Sequence, residues 1–126
     1  MTETNDVTAL VDRYIAMWNE TDPARRAALV AEIWTATADY RDPVLRGEGR
    51  DGIVAMVGQV HERFPGHRFT RTSPVDSHGD RARFGWALGP EDGPPVVAGV
   101  DFAAIDDGRL AAVTGFFDAV AQQPAA

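Results

Sequence analysis

Residues 96–117 read VVAGVDFAAIDDGRLAAVTGFF, and the pattern in this stretch decides the fold. Val96 to Ile105 is strand-forming and almost wholly apolar, Asp106-Asp107-Gly108 has the composition of a tight hairpin turn, and Arg109 to Phe117 is the returning strand. Both faces of the first strand are apolar: Val96, Ala98, Val100 and Phe102 on one, Val97, Gly99, Ala103 and Ile105 on the other. Neither face is therefore expected to lie in water. One would meet helices. The other needs a cover, either a second copy of the sheet in a symmetric homodimer or none, as a partly exposed patch on a monomer.

Working outward, Arg81 to Leu88 alternates cleanly, with Ala82, Phe84, Trp86 and Leu88 on one face, and His67 to Val75 reads as a further strand before a turn at Asp76 to Asp80. Upstream the period changes to that of helices. Val7, Leu10, Val11, Tyr14, Met17 and Trp18 fall on one face, with Asn5 or Asp6 as cap. Asp22 caps a second helix from Pro23 to about Trp34, with Pro23 at its first position. Ala38 to Asp42 reads as a short strand stopped by Asp42-Pro43. After the loop Gly47-Glu48-Gly49, Asp51 is a candidate cap for a third helix burying Ile53, Met56, Val57, Val60 and Phe64. The order α-α-β-α-β-β-β-β predicts one α+β domain over residues 1–126: a curved antiparallel sheet with three helices, all in the first half of the chain, packed on its concave face.

Twelve basic and nineteen acidic residues give a net charge of −7 over 126 positions. Such a chain lacks the basic stripe that releases counterions from nucleic acid. At 44% hydrophobic and 25% charged it has the composition of a soluble globular domain. The absence of cysteine excludes disulfides, thiolate metal sites and thiol nucleophiles. No apolar run approaches the roughly 20 residues of a membrane span, and Met1 to Asp6 has no basic region leading into an apolar stretch, so a cytoplasmic location without membrane contact is expected.

Three polar residues stand in apolar surroundings and need a reason. Tyr14 lies on the apolar face of the first helix, either as a core tyrosine or as a donor into a cavity. Asp101 sits in mid-strand with apolar neighbours. Pointing inward, it would be desolvated and held protonated, a hydrogen-bond donor; pointing outward, it would be wet or paired with an arginine such as Arg83. Asp42 is either a strand-ending turn residue or a carboxylate at the mouth of a cleft, able to act as general base. Trp18, Trp34, Phe64, Phe84, Trp86 and Phe117 are candidates for the aromatic wall of a substrate pocket. The histidines lack metal-ligand spacing, and no nucleophile elbow or phosphate-binding loop is present, so neither a metal nor an organic cofactor is expected.

The segments Leu10 to Asn19 (LVDRYIAMWN), Tyr40 to Val44 (YRDPV) and Val96 to Phe102 (VVAGVDF) resemble the nuclear transport factor 2-like superfamily, with its SnoaL-like and ketosteroid isomerase-like members. The resemblance covers nearly the whole chain and implies a cone with an apolar pocket. In the isomerase family the matching positions hold an oxyanion-binding tyrosine, a general base and a protonated aspartic acid, here Tyr14, Asp42 and Asp101. The resemblance thus implies proton abstraction next to a carbonyl of an apolar, steroid- or polyketide-like ligand, without a cofactor. Phe64 to Phe69 and Thr114 to Asp118 look more like cyclase-like members. A polyketide cyclase or dehydratase would add His61 or His67 as acid, an epoxide hydrolase would need an arginine such as Arg68, Arg71 or Arg83 between two aspartates, and a ligand-binding or dimerisation module would need no chemistry.

Overall fold

The computed structural model describes residues 4–120, with side chains from residue 6 onward. Helix α1 spans Thr4–Asn19, and its expected apolar face is buried in full. Helix α2, Pro23–Ile33, starts as its composition requires: Asp22 Oδ2 accepts from the Arg25 N–H at 2.9 Å. The helix stops one residue early, because Trp34 is already extended and opens strand β1, Trp34–Arg41. After the short strand β2, Arg46–Glu48, helix α3 covers Gly49–Arg63 and buries Ile53, Met56, Val57 and Val60. Asp51 is not its cap. It lies within the first turn, where a negative charge still meets the positive end of the helix dipole.

Strands β3 (His67–Arg71), β4 (Asp76–His78), β5 (Arg81–Pro90), β6 (Val97–Asp106) and β7 (Arg109–Val120) complete the chain. Asp107 and Gly108 both have positive φ, 51° and 77°, as the primed turn of a two-residue hairpin demands. The sheet runs β2-β1-β7-β6-β5-β3, with β4 also paired to β5. It is mixed, not wholly antiparallel: β1 lies parallel to β7, Tyr40 opposite Val113 and Arg41 opposite Thr114. Everything between these strands, α3 included, serves as the long crossover that a parallel pair needs.

Irregular register at Trp34/Asp39, Ala98/Gly99 and Ala104/Ile105 bends the sheet around the helices. The concave face carries Phe84, Trp86 and Leu88 from β5, Asp101, Ala103 and Ile105 from β6, and Leu110 and Val113 from β7, all buried. Against them lie the buried faces of all three helices, in one hydrophobic cluster. No helix among the described residues is long and apolar enough to cross a membrane.

Candidate functional site

Where the core gives out towards one end of α1, a cavity of about 250 Å³ remains between helices and sheet. Its walls are mostly apolar, with Trp18, Phe64, Phe69, Trp86 and Phe117 among the rings. Its polar groups are few: Tyr14, Tyr40, Asp42 and Asp101, with the exposed Arg63 also on the lining. A larger groove of about 810 Å³ runs between α1 and β3, but it is open to solvent, and two of its charged residues, Arg71 and Asp12, pair with each other at 3.0 Å. The smaller, drier hollow is the candidate site.

Strand alternation turns Asp101 inward beside Ala103 and Ile105, and only 3% of it is exposed. The Tyr14 hydroxyl donates to Asp101 Oδ2 at 2.7 Å. Burial raises the Asp101 carboxyl from 3.8 to about 7, opposed by hydrogen bonding from Tyr14 and by the nearby Trp86 indole, and reinforced by the charge of Asp42. Burial, followed by the charge of Asp101, drives Tyr14 well above its ordinary range, so its proton stays on as a donor. The outward-facing reading of Asp101 fails: Arg83 pairs with Asp76 instead, at 3.0 Å.

Asp42 follows β1 at the rim. Its Oδ1 accepts from the N–H groups of Val44 (2.8 Å) and Leu45 (2.7 Å), the expected Asp-Pro turn, and its Oδ2 accepts from the Tyr40 hydroxyl at 2.7 Å. The turn and the cavity lining are thus served by one residue. Burial, then the charges of Asp101 and Asp42, raises Tyr40 well above the usual phenol range. Gly115 on β7 is the hub: a Cβ there would stand 2.7 Å from Asp101 Oδ1, 3.2 Å from Asp42 Cβ and 3.3 Å from the Tyr40 hydroxyl. The two Tyr–Asp pairs therefore meet around a point that a side chain would fill.

The structure brings Tyr14, Asp42 and Asp101 to one cavity, with Trp18, Phe64, Trp86 and Phe117 on its walls. Trp34 and Phe84 are corrections, because neither reaches the lining. Trp34 is sealed in the core with its indole N–H on Met17 Sδ at 3.2 Å, and Phe84 packs edge-on against the Tyr14 ring from behind. Tyr40, Phe69 and Gly115 were not singled out for the site. Tyr40 was legible, since two residues before Asp42 in an extended chain puts it on the same side. The histidines lie elsewhere: His61 Nε2–H donates to the Trp18 carbonyl at 2.8 Å, and His67 Nδ1 bonds the Pro65 carbonyl at 3.1 Å. Burial lowers the pKa of His61. Among the described residues no group of three His, Cys, Asp or Glu side chains is placed to hold a metal ion.

This fold and lining define a pocket domain of the nuclear transport factor 2-like superfamily. Residues 11–113 match the SnoaL-like domain, and the chain belongs to that family. A crystal structure from Agrobacterium tumefaciens, named as a candidate isomerase of the SnoaL-like family, is 38% identical, with a TM-score of 0.87 over 91% of this chain and 99% of that one. A candidate ketosteroid isomerase from Kribbella flavida is 24% identical, with a TM-score of 0.69 over 100% of this chain and 87% of that one. A candidate polyketide cyclase from Sinorhizobium meliloti is 18% identical, with a TM-score of 0.68 over 90% and 99%. These last two share the fold. None of the curated proteins matches the chain.

Proposed function

We propose that the protein is an isomerase-like enzyme that moves a proton next to the carbonyl of an apolar, polyketide- or steroid-like substrate. The observation that carries this reading is the convergence of a buried Tyr14–Asp101 pair and the Asp42 carboxylate on one small apolar cavity. Asp42 takes the proton from the carbon beside the carbonyl, and the electron pair moves to the carbonyl oxygen. Tyr14 and protonated Asp101 stabilise that oxyanion in a site with little water. Asp42 then returns the proton to the far carbon, and the double bond ends conjugated to the carbonyl. Asp42 Oδ2 accepts one hydrogen bond, from the Tyr40 hydroxyl, and keeps a second lone pair for the incoming proton.

The cavity lies between the roughly 150 Å³ that holds one benzene ring and the roughly 300 Å³ at which drug-sized sites begin. It suits one or two rings, the rest of a larger substrate standing at the mouth beside Val44, which is 69% exposed. The 38% identity to a candidate isomerase supports the same chemistry. A cyclase using His61 or His67 as acid is less favoured, because both rings are bonded to backbone carbonyls. A second copy of the chain, seated on the outer face of the sheet, is part of the proposal.

Deuterium uptake from heavy water into an unconjugated ring enone tests the reading. Asp42→Asn is expected to lower exchange by about 10²- to 10⁴-fold while leaving ligand binding largely intact. Unchanged exchange in that variant would reject Asp42 as the base.

A further inference from the structure

Two buried side-chain atoms among the described residues have no hydrogen-bond partner, Trp86 Nε1 and Asp101 Oδ1. Both residues line the cavity, and the indole is close enough to Asp101 to act on its carboxyl without forming a hydrogen bond of good geometry. An indole N–H and a carboxyl oxygen thus lie side by side outside good hydrogen-bond geometry with each other, and a ligand oxygen drawn in between them would partner both.

The fold holds the indole in place. Trp86 stands opposite Gly99 in the β5–β6 register, and a Cβ on Gly99 would come within 2.8 Å of the Trp86 ring carbon Cζ2. The missing side chain lets the indole lie across β6 towards Asp101, two residues further along the same face. The rings of Phe69 and Phe117 flank it at 5.9 Å each, which restricts its rotamer. The Tyr14 proton, meanwhile, is already given to Asp101 Oδ2.

We propose that Trp86 is a direct hydrogen-bond donor to the ligand oxygen, beside Oδ1–H of Asp101, with Tyr14 a positioning residue that holds Asp101 from behind. This rests on the carbonyl chemistry proposed above and changes which groups touch the oxygen. An indole N–H can only donate and a protonated carboxyl donates once, so the pair selects a lone acceptor oxygen on an apolar body: a ketone, an enolate or a phenolate. A hydroxyl that must donate is the wrong partner.

The probe is 3,4-dinitrophenolate, one ring with an anionic oxygen that is already ionised somewhat below neutrality, where Asp101 keeps its proton, followed by its visible absorbance. Wild-type protein is expected to bind it, and Trp86→Phe, which keeps an aromatic ring and loses the N–H, to bind it about ten- to a hundred-fold more weakly, the range for a hydrogen bond to a charged group. On wild-type protein the Trp86 indole proton, followed in a proton–nitrogen correlation spectrum, is expected to move downfield as the dye is added; this reading stands even if the variant folds poorly. Equal affinity in wild type and Trp86→Phe, with binding lost in Asp101→Leu, would overturn the Trp86 assignment and leave the isomerase reading standing. An indole proton that responds to Asp101→Leu but not to the dye would do the same, showing Trp86 bonded to Asp101 alone. No binding by wild-type protein would overturn both readings.

Discussion

At Asp101 the fold holds a proton that the unfolded chain would release. The carboxyl sits near 7 in the native state against 3.8 when exposed. Between these values the native state binds the extra proton, so stability falls as pH rises, by about 1.4 kcal/mol per unit where the effect is fully developed. The contribution is intact below the unfolded value and gone above about 7. Asp101→Asn keeps the shape and cannot ionise. In urea unfolding, wild type is expected to lose stability relative to this variant between acid and mildly alkaline pH; parallel profiles would mean that Asp101 releases its proton as readily as an exposed aspartate. The site was legible at this scale wherever a polar residue broke an apolar pattern, as Tyr14 and Asp101 do. It was not legible for Trp34 and Phe84. Periodicity tells that a ring is buried, not whether it faces packed core or open cavity.

Among the elements, β6 and β7 do most to shape the hollow, and they do so through two glycines with different neighbours. A Cβ on Gly115 would meet mainly the Asp101 and Asp42 side chains and the Tyr40 hydroxyl, which can shift. A Cβ on Gly99 would stand 2.0 Å from the Phe116 carbonyl oxygen, which is backbone. Gly115→Ala is expected to impair ligand binding with a modest loss of stability, and Gly99→Ala to lose at least roughly 1–3 kcal/mol in denaturant melts. The reverse order would mean that the bulge at Ala98/Gly99 relaxes more easily than the site. The long strands and all three helices could be read from the chain because each repeats its period several times. The strands β2 and β4 are three residues each, too short to show one, and the loop and turn readings of Gly47 to Gly49 and Asp76 to Asp80 missed them. Nothing local marks the parallel pairing of β1 with β7, which depends on where the chain returns.

For the molecule as a whole, an apolar surface on the outer side of the sheet stays uncovered among the described residues. Phe102 and Phe116 pack edge-to-face on the outer side of the sheet, 42% and 52% exposed, with Val120 at 57%. Lone surface hydrophobics are ordinary, but paired aromatic rings on a sheet face fit the homodimer proposed above, for which each copy must cover roughly 800 Å². Sedimentation is expected to give the mass of two chains, and Phe102→Glu with Phe116→Glu to return one chain with the cavity intact. A single-chain mass for wild type at micromolar concentration would count against the dimer.

The parallel union of β1 with β7 also bears on synthesis. As the polypeptide leaves the ribosome, β1 emerges early with Tyr40 and Asp42 on or beside it, yet its hydrogen-bonding neighbour β7 is the last of the described strands to be translated. Until then β1 has only the three-residue β2 beside it. Assembly of the cavity must wait for β7 to emerge, and a nascent chain arrested before β7 would hold Tyr14 and Asp101 without the glycine around which the two acid–phenol pairs gather.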